Sequence, residues 1–268
     1  EPLMATLDEA PTFGARAMGR EYWDRIATLP SAKAAIAAAE KYLTEERPEI
    51  TEEQYKEYYR NGNRTNYQGV FEARRRRVLS FGLAEIYENK GRFVDALNDE
   101  LNAFCDLKSW VLPAHDGNAK IFDGKAIYSD LVSTLTGAEL GFCINMLEEK
   151  LDPEVVKRVK GEIEKRVLVP YEKDLDGSGD SIWWIRCTSN WNAVCQAGTV
   201  IAALNIVESK ERRAFFLASA DYFSEKCFMA GFTNDGYCSE GMGYWNYGFG
   251  NYEYLVAAAR VATKGKLD

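Results

Sequence analysis

A chain of 268 residues, 46% hydrophobic and 28% charged, has apolar material for a sizeable core and suits one large domain or two small ones. Lys plus Arg total 33 against 41 Asp plus Glu; the net charge of −8 argues against broad nucleic-acid binding but leaves room for a local basic cleft. No run of about 18 apolar residues occurs, so no membrane span is expected. The opening Glu1-Pro2-Leu3 lacks a basic-then-apolar leader, so a signal peptide is expected to be absent or already removed.

In chain order almost every segment has helical periodicity. Tyr22, Trp23 and Ile26 mark a short amphipathic helix stopped before Pro30, and Ser31 is expected to cap an alanine-rich run, Ala32 to Leu43, ended by Pro48. Thr51 followed by Glu52, Glu53 and Gln54 has the form of an N-cap with an acidic first turn. Phe71 to Tyr87 carries Leu79, Leu83 and Ile86 on one face. The run Arg74 to Arg77 lies inside this helix. At about 100° per residue four arginines cannot share a face, so at least one is expected to turn inward or line a cleft.

Asn89-Lys90-Gly91 stops that helix, and another is expected over Arg92 to Leu107. A loop from Ser109 to Gly117 follows, then an apolar helix Ile127 to Leu147 and one capped at Asp152-Pro153-Glu154 that runs to Val167. Asp174 to Asp180 is expected as a loop leading into Ser181-Ile182-Trp183-Trp184. Asn192 to Val207 is a small-residue helix suited to close packing, Lys210 to Met229 follows, and a last helix runs from Tyr252 or earlier to Val261. No strand alternation of any length occurs. The sum is an all-α fold of antiparallel helical hairpins, read as one domain over residues 1–268. Six widely spaced cysteines with no Cys-x-x-Cys pair, and His115 as the one histidine, make a zinc site unexpected; disulfides stay open if the protein is exported.

Two stretches depart from core-helix composition. Asn234 to Asn251 mixes five glycines with Tyr237, Tyr244, Trp245, Tyr247 and Phe249, and holds the carboxylate Glu240 among them. Glycines allow tight turns, while aromatic faces stack on sugar rings and polar tips pair with hydroxyls. The same composition fits an aromatic loop packed over a helical core. In Cys187 to Gly198, Ser189 or Asn190 is a candidate cap, which puts Asn190, Trp191 and Asn192 at a helix N-terminus suited to a carboxylate ligand. Capping alone accounts for one of these two asparagines.

Asn190-Trp-Asn-Ala-Val-Cys195, with Asp235-Gly-Tyr-Cys-Ser-Glu-Gly-Met-Gly-Tyr-Trp-Asn-Tyr-Gly248, resembles the heparinase II/III-like polysaccharide lyases. The loop Trp110-Val-Leu-Pro-Ala-His115 resembles that family's pattern too, and Phe13-Gly14 is compatible with it. The likeness covers most of the chain from Arg92 and is specific in the last third. It implies an incomplete (α/α) toroid followed by a β-sandwich domain, which would lie beyond Asp268 and complete the cleft. It further implies a periplasmic or secreted protein that acts on an acidic polysaccharide, with no metal and no cofactor.

In such lyases a uronate carboxylate is neutralised, the C5 proton is removed and the C4–O bond breaks by β-elimination. By motif position Tyr244 is implied as the proton-transfer group, with Tyr247 its nearest rival, and the Asn190 segment as the neutralising group. Glu240 joins them as a catalytic candidate, and Trp110, His115, Trp191, Asn192, Tyr247 and Arg186 are the candidate substrate contacts. A phenol ordinarily titrates at about 10, so a tyrosine base requires nearby positive charge or donors. At least one of Arg74–Arg77 or Arg186 is expected to line the cleft, and the three loops are expected to meet on one concave face. Related lyases often carry a histidine beside the neutralising segment; here Thr188, Ser189, Asn190 and Trp191 stand there. Two other functions fit the same residues. A glycoside hydrolase would use Asp235 and Glu240 as its carboxylate pair, and a non-catalytic glycan-binding module would use the aromatics alone.

Overall fold

The computed structural model describes residues 2–11 and 16–267, so Phe13 and Gly14 of the family-like pattern lie outside the described residues. The helices are α1 Gly19–Ala27, α2 Pro30–Thr44, α3 Glu52–Asn61, α4 Thr65–Glu88, α5 Val94–Cys105, α6 Leu131–Leu147, α7 Pro153–Ile163, α8 Val169–Asp176, α9 Asn190–Ile206, α10 Lys210–Phe223 and α11 Met242–Ala262. Among the described residues the only extended pairing is an isolated bridge between Phe232 and Cys238, so the fold is all-α. No helix among them is long and apolar enough to cross a membrane.

Local chemistry explains most of the boundaries. At α3 the Gln54 N–H donates to the Thr51 hydroxyl while the Thr51 N–H donates to the Gln54 side chain, a reciprocal capping box. Gly62 then closes the helix in the left-handed conformation, φ 77°. The α2 helix starts at Pro30, ahead of the expected cap Ser31, because a proline in the first turn needs no N–H partner. The start of α6 is set by Asp130 and Ser133, which exchange hydrogen bonds of 2.7 Å, so Ile127 lies outside it. Pro170 has no N–H for the carbonyl four residues back. The chain widens ahead of it into a π-turn over Glu164–Leu168, where the Val169 N–H reaches Glu164 O, and then resumes as α8.

The chain divides into two compact units. The N-terminal unit, Ala15–Ala126 with Cys143–Glu162, is built on α4, against which α1, α2 and α5 pack. Its core is aromatic: Tyr55, Phe71, Phe81, Phe93 and Phe104 are wholly buried. Cys143 rests on Gly82, where an added Cβ would come within 2.6 Å of its sulfur.

The C-terminal unit comprises Glu1–Gly14, Ile127–Phe142 and Ile163–Asp268. It is built around α9, which is buried along nearly its whole length by α10, α11 and a second π-turn, Ser224–Phe228. Small residues make that possible. A Cβ on Gly198 would meet the Thr134 backbone at 2.7 Å, and one on Gly248 would meet Asn190 at 3.1 Å. The polar positions of α9 need inward partners, as when the Tyr171 hydroxyl donates to Gln196 at 2.9 Å.

Candidate functional site

In the C-terminal unit the segment before α9 is a short 3₁₀ turn, Trp183–Arg186, and three contacts lock it. Asn192, wholly buried in the first turn of α9, reaches back to donate its amide to Trp184 O and Ile185 O at 3.3 and 2.7 Å. Asp174 accepts the Ile182 N–H at 2.7 Å and the Arg186 guanidinium at 2.6 Å. The Trp184 indole N–H donates to Ser129 O at 2.7 Å, which turns Trp184 inward and leaves its neighbour Trp183 55% exposed. The Trp183 ring lies against Trp191, with centroids 4.8 Å apart.

The glycine-aromatic stretch is only half loop. A turn at Thr233–Tyr237 is closed by the Thr233 hydroxyl, which donates to Asp235 and accepts the Tyr237 N–H at 3.1 Å. The Thr233 bond, followed by the Tyr237 N–H, holds the Asp235 carboxyl below its usual range. Gly241, at φ 86°, takes the chain into α11, so Tyr244 and Tyr247 stand in the first turns of a helix and not on a loop. Both are exposed, at 57% and 42%.

Glu240 joins the two stretches. Its carboxylate accepts the Asn190 backbone N–H at 2.6 Å and the Asn190 side-chain amide at 2.8 Å, across 50 residues of sequence. A carboxylate there sits on the positive end of α9, where free N–H groups favour it. The place foreseen for a ligand carboxylate is therefore held by the protein's own Glu240. Asn190 is nearly buried and spends one of its two amide hydrogens on this bond.

Among the other sequence candidates, Asn192 and Trp110 differ from expectation. Asn192 faces the 3₁₀ turn and not a ligand. Trp110, 1% exposed in the N-terminal unit, gives its indole N–H to Phe104 O at 2.9 Å, and packing takes up its faces. His115, part of the same loop, lies 3.4 Å from the Arg64 guanidinium. That loop is pinned by Asp116, which accepts the Tyr55 hydroxyl at 2.8 Å and the N–H groups of Ile121 and Phe122. Burial then raises the Tyr55 phenol far above its ordinary range.

Of the five arginines, at least one of which was expected to line the cleft, four are committed to carboxylates and the fifth faces solvent. Arg74 and Arg77 pair with buried Glu100, Arg75 with Glu72 and Arg186 with Asp174, while Arg76 turns to solvent. No disulfide joins any of the six cysteines, and no cluster that could hold a metal ion is found among the described residues.

No model of a known protein family matches the chain, and no curated protein matches it at a significant level. Sequence reasoning passed over Trp183, although the Trp183-Trp184 pair was visible. Which indole faces outward depends on the Ser129 carbonyl, 55 residues away.

Proposed function

We propose that the C-terminal unit carries the reacting face of a polysaccharide lyase-type protein that cleaves an acidic, uronate-containing polysaccharide by β-elimination. On this reading the helices belong to an incomplete (α/α) toroid. The observation that carries the proposal is the Glu240–Asn190 tether, which joins the two motif stretches and fixes the chain just ahead of α11, in whose first turn exposed Tyr244 stands. A tyrosine packed into the core would argue against it; Tyr244 is 57% exposed.

The chemistry assigns distinct roles. The Tyr244 oxygen, once deprotonated, takes the C5 proton. The electron pair forms the C4–C5 double bond, the C4–O bond breaks, and the leaving oxygen takes a proton back from the phenol. The remaining amide hydrogen of Asn190 is the donor for the uronate carboxylate, whose developing charge otherwise makes C5 a very weak acid. Glu240 orients Asn190 and moves no proton. Trp183 and Trp191 offer ring faces for neighbouring sugars. Asp235 and Glu240 are each engaged by neighbouring donors, which weighs against their acting as a hydrolase pair.

The test is incubation with glycosaminoglycan and alginate-type polymers, following the ultraviolet absorbance of unsaturated uronate ends. Tyr244→Phe is expected to lose about 10²–10⁴-fold in turnover and to hold oligosaccharide affinity within a few-fold, because a transition-state interaction alone is removed. Tyr247→Phe is expected to be much milder. New reducing ends without unsaturation would point to hydrolysis, and binding without turnover to a glycan-binding module resting on the tryptophan pair.

A further inference from the structure

In the C-terminal unit α10 and α11 do not close fully on one another. Leu217, Leu255, Val256, Ala259 and Leu267 wall a cleft between them, and its cavity holds about 30 Å³. A single water takes roughly 10–15 Å³ of such space, so there is room for about two groups of that size, as in an aminomethyl head. Walls this apolar offer water few partners and suit methylene groups better.

Three polar side chains, Asp221, Ser224 and Tyr252, complete the lining. Ser224, 1% exposed, opens the π-turn that follows α10, and among the described residues its hydroxyl has no hydrogen-bond partner. A helical serine ordinarily bonds a carbonyl one turn back. A buried hydroxyl left without one is costly, and it marks a place where a partner is missing. Asp221 precedes it by three residues on α10, a spacing that makes side chains neighbours. Partial burial, and then Glu225, works against the Asp221 charge, and a cation beside it would relieve both.

The surrounding charge favours a cation. Burial, and then the negative charges of Asp221, Glu253 and Glu225, raises the Tyr252 phenol above its ordinary value, so three carboxylates gather around one ring. Lys226 pairs with Glu225 and Lys264 with Asp8, each at 2.9 Å. Among the described residues no cation pairs with Asp221 or Glu253. The Tyr252 ring adds an aromatic face, which attracts an ammonium further.

We propose that this cleft binds the primary ammonium group of a small aliphatic amine. The Asp221 carboxylate and the Ser224 hydroxyl accept its N–H groups, and its chain lies along Leu255, Val256 and Ala259. The proposal does not rest on the lyase reading, since neither Tyr244 nor Asn190 takes part.

Calorimetric titration of the whole chain with n-butylammonium chloride at pH 7 tests it, with n-butanol as the neutral counterpart. Saturable butylammonium binding is expected, with none for butanol. Asp221→Asn removes the charge and keeps the shape, and is expected to weaken binding about tenfold or more. Ser224→Ala is expected to weaken it several-fold while the fold stays native by circular dichroism. Arg76→Ala, in the N-terminal unit, is expected to leave it unchanged. Absence of saturable butylammonium binding, equal binding of butanol, unchanged affinity in either cleft variant, or an equal loss in Arg76→Ala would each overturn the proposal.

Discussion

Glu100 in the N-terminal unit gives one oxygen to each of two buried arginines, whereas Glu240 in the C-terminal unit is held by the backbone N–H and the amide of Asn190. Among the described residues no cation pairs with Glu240. Pairing charge with charge in a buried place sets a large desolvation cost against a large attraction, and either partner alone is worse than none. A helix N-terminus offers partial charge from groups that are already fixed, so it positions a carboxylate without burying a second ion. The first arrangement leaves the amines of Arg77 over; the second leaves one hydrogen of Asn190.

The largest expected effect follows from breaking the first arrangement. Glu100→Gln leaves two buried guanidiniums without a counter-charge, and a loss of roughly 3–5 kcal/mol in unfolding free energy is expected, measured by urea titration. Glu240→Ala removes a cap from α9, and about 1–2 kcal/mol is expected; Glu240→Gln, which keeps an acceptor, is expected to cost less. If Glu240→Ala cost more than Glu100→Gln, the contrast between the two carboxylates would be wrong.

Asp221 sharpens the comparison, because among the described residues it has neither a cation nor an N–H donor. Partial burial, and secondarily Glu225, raises its pKa above the ordinary carboxylate value. A raised folded-state pKa contributes stability that is full below the unfolded pKa and is lost as pH rises through the folded value. Asp221→Asn is therefore expected to raise the melting temperature at pH 7 and to leave it unchanged at acid pH, below the ordinary aspartate range. A stabilisation that did not vary with pH would point to packing instead. Smallest of all, Arg76→Ala, in solvent beside Arg77, is expected to stay within about 0.5 kcal/mol of the parent.

Local signals in the sequence located the helices better than their ends. Thr51 with Gln54 and the Asn89-Lys90-Gly91 stop carry their own chemistry, and the structure uses both as expected. The start of α11 was hidden. Glycines and aromatics are poor helix formers, yet packing on α9 outweighs that propensity from Met242 onward. The loop expected from Asp174 is helical as far as Asp176, and it is Gly177, φ 78°, that ends the helix. At the candidate site, the residue types were legible but their partners were not. That Glu240 would fill the Asn190 end of α9 depends on a contact across 50 residues, and no local pattern encodes it. The arginine run was read correctly as unable to share one face, but Glu100, which draws two of its members inward, lies on another helix.

The tryptophan pair has a consequence of a different kind. Trp183 and Trp191 lie 4.8 Å apart with their planes inclined at 44°. Indole transitions that close and that oblique share their excitation, and such sharing gives paired bands of opposite sign in circular dichroism. One ring stands on the turn before α9 and the other on its first helical turn, so the splitting is a built-in optical gauge of that junction. A ligand that slid between the rings, or any loosening of the end of α9, would be recorded in the absorption of the protein itself, with no label attached.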